Sequence, residues 1–185
     1  MIKIFYSYSH QDETYRNELE KWLKKLRQDN IISEWHDRKI LPGSKLNDAI
    51  DENLQNADLF LLLISQNFLS SDACLKEMEY AVKHHGSKWF VSIILKDCTW
   101  LETELKNYLA LPTDGKPIDK WDSKDEAWLV VYDRLKKIIS ELENTFSIKE
   151  DYKNKLQQIE FVTQSKNKVF LDDIWVFPSV LKRTV

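Results

Sequence analysis

The apolar positions along this chain alternate between two kinds of run. Short blocks rich in β-branched and aromatic residues, Ile2 to Tyr8, Ile31 to Trp35, Leu59 to Ile64 and Trp89 to Leu95, read as strands. Between them the apolar residues recur at helical spacing. Tyr15, Leu19, Trp22, Leu23 and Leu26 share one face behind Asp12, a candidate helix cap, and Lys and Arg fill the opposite face. Leu46, Ala49, Ile50 and Leu54 form a second stripe behind Ser44. Cys74, Met78, Ala81 and Val82 form a third, and Trp128, Val131, Leu135, Ile138 and Leu142 a fourth behind Ser123. Leu59 to Ile64 is apolar at every position, as expected for a strand covered on both faces. Lys96 to Lys116 is irregular, and Pro117 with Ile118 is the expected seed of a short fifth strand.

Strands alternating with helices predict an α/β fold with a parallel sheet and helices on both faces. Five strands in this length favour the flavodoxin-like order 2-1-3-4-5 over a full dinucleotide-binding Rossmann fold. In that order the switch point falls between the first and third strands. The loop Ser7 to His10 and the helix carrying Glu77 then flank one crevice, where open α/β sheets place their ligands. A carboxylate there is either a group for sugar chemistry or an ordinary solvated glutamate, and the pattern alone leaves both readings open.

The segment from Asn144 to Val185 differs in kind. A charged, weakly periodic stretch (Lys149 to Phe161) precedes Lys168 to Pro178, which is too apolar for a free tail. It either pairs with the domain or belongs to a junction. The expected division is therefore a domain at 1–142 and a C-terminal extension or linker towards a further domain at 143–185.

Composition narrows the function. Hydrophobic residues make up 43% of the 185, with 7 Trp, 7 Tyr and 8 Phe, enough for a packed core. A net charge of -3 argues against direct nucleic-acid binding, which calls for a basic face. Two cysteines without a CxxC pair suggest no disulfide framework and a reducing, cytoplasmic setting. No apolar run approaches the roughly 20 residues that span a bilayer, so no membrane partner is expected.

Three glycines (Gly43, Gly86, Gly115) are too few and too scattered for a phosphate loop or a GxGxxG turn. The four histidines lack zinc-site spacing, and no GxSxG elbow occurs. The expected chemistry uses carboxylates, hydroxyls and aromatics, with no metal.

Five segments, taken in order, resemble one known family. Phe5-Tyr6-Ser7-Tyr8-Ser9-His10-Gln11-Asp12 is similar to the first box of TIR (Toll/interleukin-1 receptor) domains, and Trp35-His36-Asp37-Arg38-Lys39-Ile40-Leu41-Pro42-Gly43 to their second box, the BB loop. Phe68 to Met78 resembles the serine-to-Cys-x-x-Glu stretch of the third helix. Lys96-Asp97-Cys98-Thr99-Trp100 and the run from Leu111 to Trp128 resemble bacterial members. The resemblance covers about residues 1 to 142.

It implies a TIR fold and one of two functions. Animal receptor members are adaptors acting through TIR–TIR contacts. Many bacterial, plant and axonal members cleave NAD⁺, using the glutamate that aligns with Glu77. On the second reading Glu77 is the catalytic carboxylate of an NAD⁺ hydrolase that releases nicotinamide and ADP-ribose or a cyclised form. NAD⁺ is then substrate, and no cofactor is required.

Ser7, Tyr8 and Ser9 either contact adenine or phosphate or are turn-forming hydroxyls. Trp35 either lines the site or packs in the core. Asp37 either meets ribose hydroxyls or makes an Asx turn. Cys74 is expected beside the substrate as a buried packing residue rather than a nucleophile. Many NAD⁺-cleaving relatives carry an aromatic where this chain has Ala73, which leaves Trp121 or Tyr8 as substitutes. Leu171 to Pro178 resembles the segment joining bacterial effector domains to STAND-type ATPases. That implies an antiviral effector switched on by self-association.

Overall fold

The computed structural model describes residues 1–36, 52–84 and 89–157. Five parallel strands form one sheet: β1 (Ile2–Tyr8), β2 (Ile32–Trp35), β3 (Leu59–Ile64), β4 (Trp89–Ile94) and β5 (Ala110–Leu111). Their order is β2-β1-β3-β4-β5, the predicted one. β1 pairs with β3 from Ile4↔Leu59 to Tyr8↔Leu63, so both strands end at one rim.

The helices are α1 (Glu13–Gln28), a short α2 (Gln66–Leu69), α3 (Asp72–Lys83) and α4 (Lys124–Gln157). Residues 52–56 are also helical. The start of that predicted helix, with Ser44, Leu46, Ala49 and Ile50, lies outside the described residues, as do Pro42 and Gly43.

The sheet buries both faces because every side chain of β3 is apolar and none reaches solvent. Successive residues point to opposite faces, so Phe5, Phe60, Leu62, Ile64, Phe90 and Ile94 gather with Cys74, Met78 and Ala81 of α3 in one core. Each large side chain fully buried contributes about 1.5–3 kcal/mol, and this layer fixes α3 against the sheet.

The exit from α1 shows how locally encoded the turns are. Ile31 N–H bonds to Leu26 O (3.0 Å) and Asn30 N–H to Arg27 O (3.1 Å), the two bonds of a Schellman ending. Asn30 takes the left-handed position at φ 56°, which an Asn tolerates better than a branched residue. The chain then turns directly into β2.

Three expectations are corrected. The fifth strand is Ala110–Leu111, whereas Ile118 opens a single helical turn. Ile118 is fully buried, hence its strand-like appearance, and a two-residue edge strand is too short to carry a periodic signal. On α4 the inward residue is Ile139, with Ile138 half-buried. Asp12 occupies the capping position of α1 but makes no side-chain capping bond.

The chain divides into two compact units, Met1–Glu141 and Leu142–Val185, with the boundary inside α4. In the second unit the described part is the end of that helix, along which Ile148 and Tyr152 are exposed.

Candidate functional site

At the carboxyl end of β1 the alternation of side chains sets up the site. Phe5 belongs to the α3 side of the sheet, and by strand periodicity so does Ser7. Ser7 is buried, and its hydroxyl donates to Glu77 Oε2 at 2.5 Å. Glu77 reaches that position because Ser71 caps α3, its Oγ accepting from Cys74 N–H at 3.4 Å. Ala73 and Cys74 then each fall about one turn from Glu77, at i,i+4 and i,i+3.

The rim encloses a cavity of about 500 Å³ lined by both elements. From β1 and its following loop come Phe5, Tyr6, Tyr8, Ser9, His10 and Gln11. From the chain after β3 come Asn67, Ser70, Ser71, Ala73, Cys74 and Glu77. The volume lies within the roughly 300–1,000 Å³ of small-molecule sites. One wall is aromatic: the Tyr8 and His10 rings meet at 5.9 Å between centroids. The Arg16 guanidinium lies 5.3 Å from the centre of the Tyr8 ring. The α3 wall is small and polar, with a carboxylate.

Beneath the aromatic wall lies a second set of charges. The Tyr6 hydroxyl donates to Glu34, whose other oxygen accepts from Arg27. Burial, reinforced by the Glu34 charge, holds the Tyr6 phenol well above its ordinary range, so it stays a protonated donor. Arg16 donates to Glu13 at 2.9 Å and Glu20 at 3.0 Å, and His36 Nε2 lies 3.1 Å from Arg16 Nη1. Arg16 is 6% exposed, although the helical pattern put the basic residues of α1 on the solvent side.

The sequence-predicted residues separate on this geometry. Tyr8, Ser9, Cys74 and Glu77 line the cavity, and Ser7 stands behind Glu77. Trp35 does not line it. Its ring stacks on Phe5 at 5.2 Å and packs against the α3-side core. Asp37 lies outside the described residues. Of the two aromatics offered in place of one at position 73, Tyr8 is on the wall. Trp121 instead donates from Nε1 to Lys116 O at 3.4 Å, with the Lys116 ammonium 4.9 Å from its ring centre.

His10 lines the cavity as the end of the predicted crevice loop, and Asn67, Gln11, Ser70 and Ser71 line it without having been singled out as site residues from sequence. For Asn67, Ser70 and Ser71 the available signal was a cluster of polar side chains directly after the central strand, which reads equally as a connector. Among the described residues no group of three or more His, Cys, Asp or Glu could hold a metal ion, and no helix is long and apolar enough to cross a membrane.

The comparisons with known proteins agree with this architecture. The family model for the TIR domain matches residues 4–129, and the chain belongs to that family. The uncharacterized protein y4lF of Sinorhizobium fredii (strain NBRC 101917 / NGR234) is 39% identical over 150 residues, 80% of this chain and 46% of its own length. The chain thus spans about half the length of the curated relative it matches. Among solved structures, the TIR domain of the Toll-related receptor TRR-2 from Hydra magnipapillata superposes with a TM-score of 0.54 at 17% identity, covering 74% of this chain and 97% of that one. That likeness speaks to the fold alone.

Proposed function

We propose that this TIR domain hydrolyses NAD⁺, with Glu77 as the catalytic carboxylate. The observation that carries the reading is Glu77, bonded from behind by Ser7, on the wall of a cavity at the sheet's switch point. In NAD⁺ the nicotinamide is a pyridinium, so the bond from its nitrogen to ribose C1′ breaks with the electron pair returning to the ring. Neutral nicotinamide leaves without a proton from the protein. The ribose becomes oxocarbenium-like, and the Glu77 carboxylate offsets that charge or holds the ribose hydroxyls. Water adds at C1′ and releases a proton, giving ADP-ribose. If a nucleophile on the remaining ADP-ribosyl fragment adds at C1′ instead of water, the product is cyclised. No metal or second cofactor enters the balance.

Ser7 fixes one oxygen of Glu77, while Tyr8 and His10 offer flat surfaces for a base. Concentrated protein incubated with NAD⁺ should release nicotinamide, and Glu77→Gln should not. Equal release from both would end the assignment of Glu77.

A second reading, a non-catalytic TIR–TIR interaction module, is favoured by one observation. Ala73 puts only a methyl group on the α3 wall. Absence of turnover from folded protein, even when forced to cluster, would favour it. The resemblance of the BB-loop segment supports activation by self-association, and that of Leu171 to Pro178 supports a place as the effector part of a STAND-type antiviral protein. Full activity of the isolated monomer at high dilution would remove the self-association step.

A further inference from the structure

We propose that Asn67 is a substrate-recognition residue: its side-chain carbonyl is an acceptor held at the cavity wall for a planar NH₂ group of the ligand. Asp12, Ser65 and Lys96 are the residues that position it. The inference rests on the dinucleotide reading above and adds a contact to it.

Asn67 lines the cavity, and its Nδ2 lies 3.3 Å and 3.4 Å from the two oxygens of Asp12. An ionised carboxylate only accepts hydrogen bonds. The amide therefore has to turn its NH₂ end to Asp12, and its carbonyl oxygen is left for another donor. Among the described residues both side-chain hydrogen bonds of Asn67 go to Asp12, so this network makes no use of that oxygen.

Asp12 is itself held in place by two other donors. It is fully buried, yet Lys96 Nζ lies 3.1 Å from Oδ1, and the Ser65 hydroxyl donates to Oδ2 at 2.5 Å. The same Ser65 oxygen accepts from Phe68 N–H at 3.1 Å and so caps α2, the turn that carries Asn67. The orientation of the Asn67 amide is thereby set by a charge outside the cavity, through one short, capped turn.

A carbonyl acceptor repels phosphate and suits a conjugated amine. The dinucleotide carries two such groups, the nicotinamide carboxamide and the adenine amine. Their shared chemistry is the NH₂ donor, and two analogues separate them. In the acetylpyridine analogue of NAD⁺ a methyl replaces the carboxamide NH₂, and in the hypoxanthine analogue an oxygen replaces the adenine amine.

Dissociation constants for NAD⁺ and both analogues should be measured by calorimetry on the 185-residue chain carrying Glu77→Gln, so that turnover does not interfere. We expect NAD⁺ to bind about 5- to 30-fold more tightly than one of the two analogues, the worth of a single hydrogen bond. That analogue identifies which base Asn67 meets. Adding Asn67→Ala should bring the ratio close to one. Adding Lys96→Met should lower it partway, with cooperative thermal unfolding retained. Equal binding of all three ligands, or a ratio that survives Asn67→Ala, overturns the proposal. So does an equal weakening of all three by Asn67→Ala, the signature of a merely structural residue. NAD⁺ binding to the parent chain without nicotinamide release counts against hydrolysis alone and leaves the ratio readable. No dinucleotide binding overturns both.

Discussion

Two acids stand at the carboxyl end of the sheet in contrasting surroundings. Asp12, directly after β1, is fully buried and receives Lys96, Ser65 and Asn67. Glu77, on α3, is half-buried on a cavity wall, where it accepts from the neutral Ser7 hydroxyl. The first arrangement spends the carboxylate on holding protein together. The second leaves the carboxylate on the wall of a cavity. Position near the switch point does not distinguish the two; burial and the identity of the donors do.

The contrast predicts opposite responses to substitution. Glu77→Gln should lower nicotinamide release by about 10²–10³-fold, the usual cost of removing one group aimed at developing charge. Its unfolding midpoint should move by no more than about 2 °C, as for a partly exposed position. A large fall in the midpoint would make Glu77 a second structural acid and erase the comparison.

Asp12→Ala should do the reverse to stability. It strands the Ser65 hydroxyl and the Asn67 amide and unpairs Lys96, whose side chain is 39% exposed and can recover solvent. The expected loss is therefore about 2–3 kcal/mol, towards the low end for broken buried pairs, and the midpoint should drop by roughly 5–10 °C in thermal unfolding. An unchanged midpoint would show that Asp12 is not a structural anchor.

Ser7→Ala tests the neighbour of Glu77 rather than the acid itself. Taking about 1.5–2 kcal/mol, the low end for a hydrogen bond to a charged group, kcat/KM for NAD⁺ should fall roughly 10- to 30-fold. The fold should be little affected. Loss comparable to that of Glu77→Gln would mean that Ser7 touches the reacting atoms.

What could be read from the sequence follows the range of the interactions. β1, β3 and the α3 stripe were legible because alternation and helical spacing are local. β5 was not, since its two residues carry no period. Glu77, Tyr8, Ser9 and Cys74 were legible as members of ordered motifs around one rim. Asp12 was misread as a helix cap because a sequence suggests the nearest partner first, whereas its partners lie 53, 55 and 84 residues away. Asn67 was missed for the same reason: only the fold brings α2 beside the end of β1. Trp35 was left between site and core, and the Phe5 stack puts it with the core.

Asp119, the exposed limit of the same series, sharpens the comparison with the smallest effect. It accepts from the Tyr15 hydroxyl and from Lys124 Nζ at 3.1 Å. Burial alone would raise its carboxyl, but those two donors outweigh it and hold the group below its ordinary value. A depressed folded pKa means that the unfolded chain binds more protons in the window between the two values, so stability rises with pH there. The contribution is present above the unfolded pKa, near 3.9 for an aspartate, and is lost as pH falls through the folded one. Because the site is largely solvated, screening keeps it at about 0.5 kcal/mol or less. Denaturant titrations of the parent and Asp119→Asn should therefore differ slightly at pH 7 and converge as the medium becomes strongly acidic. A difference that widens on acidification would reverse the sign and place Asp119 in an unfavourable environment.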